Sequence, residues 1–215
     1  MPEPAEAITD CDIEGVVRDS ASVEDGMAQL IRHCDVSWPH DVWERIGGLD
    51  WGGDLRYLTE WLGAVIQQEP PAAEVKAYWF GLFNPTLETG EPTCGLYISG
   101  STRYSETDLD MEWACWDDDS YLPEARYARS TALEGIYRLL SESGEPDLAA
   151  AGEYTLCLGY AALAVRAACR SADPALLARG CERPVVVGFD SGDWIVLGVA
   201  TPHGFVACAS PTEPV

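Results

Sequence analysis

Apolar residues recur at helical spacing in several stretches of the chain. Val23, Met27, Leu30, Ile31 and Cys34 follow Ser22, with Asp25 at the third helical position. This capping-box-like start predicts a helix to about residue 34. Leu55, Leu58, Trp61, Leu62, Val65 and Ile66 form one stripe over residues 53–68, and Pro70 and Pro71 end it. Leu133, Ile136, Tyr137 and Leu140 predict a third helix, opened by Thr131 and Glu134 and closed by Gly144 and Pro146. A fourth, over about 153–172, is apolar nearly all round and reads as a buried central helix. Between these lie strand patterns. Residues 74–83, 94–99 and 108–116 form one run, the last (DLDMEWACW) alternating strictly. Residues 184–189, 194–200 and 205–209 form another, punctuated by the turns Asp190-Ser191-Gly192-Asp193 and Pro202-His203-Gly204.

The order α-α-βββ-α-α-βββ predicts an α+β fold. It predicts an antiparallel sheet built from two three-stranded runs, with four main helices packed mostly on one face. No linker divides the chain, so residues 1–215 are expected to form one domain, with residues 1–20 a loosely ordered lead-in.

Composition changes this picture chiefly through charge. The chain of 215 residues carries 36 acids against 13 bases, a formal charge of −23, and its one lysine is Lys76. Such a chain repels phosphate backbones and anionic membranes and attracts basic proteins. Neither nucleic acid nor a membrane is expected as a partner. The longest near-apolar stretch, residues 154–165, falls short of the roughly 20 residues of a spanning helix. The first ten residues are acidic and lack the apolar run of a signal peptide, which points to the cytoplasm. The eight cysteines show no C-x-x-C spacing and are expected as buried thiols. The eight tryptophans are expected mostly in the core, one or two serving at a binding surface.

The chemistry-bearing candidates are few. Glu106, Asp108, Asp110, Glu112, Asp117, Asp118 and Asp119 follow one another with no base between Arg103 and Arg126. On a strand Asp108, Asp110 and Glu112 share a face, while Leu109, Met111, Trp113 and Cys115 share the other. Three readings are open: a solvated sheet face protected against edge aggregation, a docking face for a basic protein, or a divalent-metal site. Along a strand Asp108 and Asp110 stand about 6.8 Å apart, wide for one ion without a third element. No cofactor or metal site is expected from motifs: Walker A, G-x-G-x-x-G and G-x-S-x-G are absent, and the turn at Asp190 lacks the twelfth-position acid of a calcium loop. Tyr121, Arg126 and Tyr127, beside the acidic turn 117–119, suggest either a salt-bridged turn or a small pocket. His33 reads as a helix C-terminal cation.

In composition the chain resembles small cytoplasmic bacterial immunity proteins: acidic, tryptophan-rich and poor in motifs. That resemblance implies toxin neutralisation through protein–protein interaction. The partner-binding residues would be Asp108, Asp110, Glu112, Trp116, Asp117, Asp118 and Asp119, with Trp116 as aromatic anchor. Two other functions stay open: a metal-dependent hydrolase using the clustered carboxylates, and a structural or oligomer-forming protein.

Overall fold

The computed structural model describes residues 3–105, 111–115, 117–190 and 192–208. The chain runs α1 (Pro4–Thr9), α2 (Ile13–Asp19), α3 (Val23–Ser37), α4 (Val42–Gly47), α5 (Trp51–Gln68), β1 (Ala77–Phe83), β2 (Gly95–Ser101), a 3₁₀ turn (Met111–Ala114), β3 (Tyr127–Ala128), α6 (Thr131–Ser141), α7 (Pro146–Ser171), α8 (Pro174–Ala178), β4 (Arg183–Phe189), β5 (Trp194–Thr201) and β6 (Gly204–Ala207). The α+β class holds.

The sheet differs from the expectation of two antiparallel runs. It is one six-stranded mixed sheet of order β3-β2-β1-β4-β5-β6. β1 and β4 lie parallel, with Tyr78 opposite Val185 and Leu82 opposite Phe189. The other pairs are antiparallel. A parallel pair requires a long crossover, and the chain between β1 and β4 supplies one through α6, α7 and α8. The first run is completed by the short β3, not by residues 108–116. The part of that segment within the described residues, Met111–Ala114, is a 3₁₀ turn.

Alternation sets the two faces. Tyr78, Phe80 and Leu82 of β1 join Leu96, Ile98, Val185, Val187, Ile195 and Leu197 in a core shared with the helices. Trp79, Tyr97 and Val186 point the other way into a smaller cluster with Trp113. α7 is the hub, touching α1, α2, α3, α5 and α6 as well as β1, β4, β5 and β6. It is buried nearly all round because it has neighbours on every side, which is why its sequence shows no polar face. By length and composition this one helix could cross a membrane, a point the shorter run 154–165 concealed. Yet 78% of its most apolar window is buried inside the structure.

Residues 4–19 form α1 and α2, anchored by buried Ile8, Ile13 and Val17. His33 does not end its helix. Its Nε2 lies 2.8 Å from Ala7 O, tying α3 to α1. All eight cysteines are free thiols, but the expectation of burial holds only for Cys34, Cys94, Cys157 and Cys169. Cys115, Cys181 and Cys208 are exposed, and Cys11 is half-buried.

Candidate functional site

After β2 the chain leaves the sheet and crosses its second face. Ser101 Oγ accepts from the Arg103 amide (3.0 Å). Tyr104 meets the Trp113 ring edge-on at 4.8 Å, and Trp113 meets Trp79 at 5.9 Å. Burying Trp113 against Trp79 is what the 3₁₀ turn accomplishes, since Trp113 is only 3% exposed. Edge-to-face packing of this kind adds about 0.5–1.5 kcal/mol per pair beyond burial.

The segment then turns at Asp117. Its amide donates to Ser120 Oγ (2.9 Å), while its Oδ1 accepts from Ser120 Oγ (2.9 Å) and the Asp119 amide (3.1 Å). Asp117 Oδ2 pairs with Arg103 Nε at 2.8 Å. Asp117 is thus consumed by its own turn, whereas Glu112, Asp118 and Asp119 project into solvent. Tyr121 returns to the sheet, pairing with Gly100 through both backbone groups at 2.9 Å.

That return creates a hollow of about 720 Å³ between the 119–123 segment and the connection from α5 to β1. Glu69, Glu74 and Asp119 line it, with Tyr121 and Val75 as apolar wall, and no Lys or Arg is among its lining residues. Two bonds stitch the hollow together. Tyr121 OH donates to Glu69 O (2.7 Å), and the Glu124 amide donates to Glu69 Oε1 (2.8 Å). Burial, with Glu69 nearby, pushes the Tyr121 hydroxyl well above its ordinary range and keeps it a donor. Glu74 and Asp119 form no ion pair in the described structure and remain exposed. Among the described residues no three His, Cys, Asp or Glu side chains converge as a metal site. The carboxylates line a wall without meeting.

The residues singled out from sequence are therefore divided. Asp119 and Tyr121 share the hollow, and Asp117 and Asp118 stand beside it. Glu112 lies on the 3₁₀ turn. Tyr127 points to the second sheet face with Tyr97 (ring centroids 6.1 Å), and Arg126 lies over the Tyr127 ring at 4.8 Å, so Tyr121, Arg126 and Tyr127 do not line one pocket. Asp108, Asp110 and Trp116 lie outside the described residues. Of the tryptophans described, Trp43, Trp51, Trp79 and Trp113 are buried, and Trp38, Trp61 and Trp194 are half-buried.

Sequence reasoning missed Glu69 and Glu74. The signal that could have found them is local: two acids flank the Pro70-Pro71 pair, which stops α5 and forces a turn toward the sheet. Comparison of the chain with protein-family models, with curated proteins and with solved structures finds no match in any of the three.

Proposed function

We propose that the protein is a non-enzymatic binding protein that recognises a basic protein partner, such as a toxin, through this acidic hollow. The observation carrying the reading is a concave wall of Glu69, Glu74 and Asp119 with no base among its lining residues. It is set in a chain of formal charge −23. Like charges gathered in a hollow are relieved when a cation enters. The Tyr121 ring offers the aromatic surface on which the stem of an arginine or lysine packs. The exposed acids Glu112, Asp118 and Asp119 extend the negative field outward, which speeds encounter with a positive partner more than it adds final affinity. Asp108, Asp110 and Trp116 stay candidates for the same partner on the strength of the sequence alone.

A penta-arginine peptide is the probe. Titrated into labelled protein and followed by amide chemical shifts, it is expected to saturate at the amides of Glu69, Glu74 and Tyr121, and to lose about ten-fold in affinity in a Glu74→Gln, Asp119→Asn double variant. Shifts spread evenly over the acidic surface, or an unchanged double variant, contradict the placement of the site.

A further inference from the structure

The most apolar helix contains one unexplained charge. Between Glu153 and Arg170 the only ionisable side chain of Asp, Glu, Lys, Arg or His type is Arg166, and α7 buries it to 6% exposure. Its Nη2 donates to Ser20 O at 3.2 Å. Its Nη1 is buried without a hydrogen-bond partner. Leaving a guanidinium N–H unmatched in the interior is costly, and such groups in native proteins call for a reason. Arg183, the other buried arginine, has every nitrogen engaged.

Arg166 lines a cavity of about 330 Å³ where α2 and α7 meet the β5–β6 edge. The size lies at the lower end of small-molecule sites. Val17, Ile195 and Leu197 supply apolar wall. Two further charges line it. Arg18 is already engaged by Asp19 (Nε to Oδ1, 3.0 Å), and Glu14 is exposed at the rim. β6 ends at Ala207, and the Cys208 amide bonded to Leu197 O (3.1 Å) is the last bond on that side of β5 among the described residues. Four consecutive residues of β5, Trp194 to Leu197, line the cavity although their side chains alternate between the two sheet faces, so the β5 backbone faces it too.

We propose that this cavity is a binding site for a small monocarboxylate with an apolar body, its carboxylate seated on Arg166. The polar requirement is modest: one buried guanidinium nitrogen without a partner calls for one carboxylate. Glu14, Asp19 and the overall negative field disfavour a phosphate dianion, which would also want more donors than the cavity offers. The apolar wall of Val17, Ile195 and Leu197 fits the remainder of the ligand. Nη1 is packed away from solvent, so seating the carboxylate requires the guanidinium to turn toward the cavity and give up the 3.2 Å bond to Ser20 O. Burial and the nearby Arg170 make the guanidinium less basic than usual, so an incoming anion relieves an existing electrostatic penalty.

The test is calorimetric titration of the full chain with benzoate at constant ionic strength, with benzamide and inorganic phosphate as comparators. Benzoate is expected to bind saturably at one site, with benzamide about ten-fold weaker and phosphate weaker still. Arg166→Met is expected to weaken benzoate at least as much as the loss of charge in benzamide does. Its unliganded thermal midpoint is expected to equal or exceed that of the parent, because the variant removes an incompletely bonded buried charge. Should Arg166→Met fail to fold, Arg166 serves the fold, and the location rests on Ala207→Phe, which narrows the cavity and leaves Arg166 in place. Absence of saturable benzoate binding overturns the proposal. So does unchanged affinity in Ala207→Phe or in a folded Arg166→Met, or phosphate binding tighter than benzoate.

Discussion

Arg183 is fully buried at the start of β4, and no carboxylate pairs with it among the described residues. Its Nε donates to Val75 O (2.8 Å), its Nη2 to Ala72 O (3.1 Å), and its Nη1 to Leu177 O (3.4 Å) and Ala178 O. It clamps the α5–β1 connection and the end of α8 onto the parallel strand pair. Counting four charge-assisted bonds at about 1.5–3 kcal/mol each gives roughly 6–12 kcal/mol, comparable to the roughly 5–15 kcal/mol of a whole domain. The structure argues for much less. Ala72 O keeps the Val75 amide, Leu177 O keeps the Tyr78 hydroxyl (2.6 Å), and Ala178 O keeps the Cys181 amide. Only Val75 O is left without a donor among the described residues. One stranded carbonyl costs about 1–3 kcal/mol, and the smaller side chain leaves a void worth about another 1 kcal/mol. Removal of a buried charge offsets part of this. Arg183→Met is therefore expected to cost about 1–3 kcal/mol, a fall in Tm of about 3–9 °C. Urea unfolding should show a lower midpoint at unchanged slope. A loss above about 6 kcal/mol would show that the four bonds do add, and no loss would show that the clamp contributes nothing.

Asp54, 3% exposed on α5, accepts from Ser130 Oγ (2.7 Å), Thr131 N (2.7 Å), Thr131 Oγ1 (3.0 Å) and Tyr160 OH (2.6 Å), so it caps α6 from another helix. Asp54→Ala takes the acceptor from all four donors, while Ser130 Oγ keeps only its role as acceptor from the Leu133 amide. The expected cost is about 3 kcal/mol by urea unfolding, and about half that for Asp54→Asn; a change within about 0.5 kcal/mol contradicts the capping role. Stability should also fall in alkali. Burial raises the thiol of Cys34 from 9.0 to about 12 and that of Cys169 from 9.0 to about 12, and it raises the hydroxyls of Tyr78 and Tyr160. The unfolded chain then releases these protons first and binds fewer than the native state, so unfolding is favoured as pH climbs above about 9. Urea midpoints that stay level from neutral pH to about pH 11 contradict this burial.

Periodicity made some elements legible and hid others. α3, α5 and α6 each bury one stripe and show it in sequence. α1, α2 and α4 are six or seven residues long, too short for a stripe to repeat. Pro146 reads as the end of α6, yet it is the first residue of α7, a position where its missing N–H costs nothing. The alternation in residues 108–116 suggested a strand, but alternation records only which side is apolar, and Trp113 satisfies its burial by capping Trp79 from a turn. Pairing neighbours in sequence placed β4 with β5 alone. Its insertion beside β1 follows from faces buried on both sides, for which the unbroken apolar run Ala77–Phe83 was the available sign.

The two candidate sites were hidden for a related reason. The acidic hollow joins Glu69 and Glu74 to Asp119 across some fifty residues of chain, a distance no local pattern spans. Charge density alone pointed to residues 106–119, and within that segment it could not separate Asp117, spent on its own turn, from Asp119, which remains available. Arg166 illustrates the opposite case. A lone cation inside an apolar helix is visible in sequence, but its meaning depends on whether the fold completes its hydrogen bonds. For Arg183 the fold does so with backbone carbonyls, and the residue is a clamp. For Arg166 it bonds Nη2 alone and leaves Nη1 buried and unmatched, at the wall of a cavity. A buried charge whose bonding the protein leaves unfinished is the kind of position where binding an outside group lowers the free energy most, because the desolvation cost has already been met in folding.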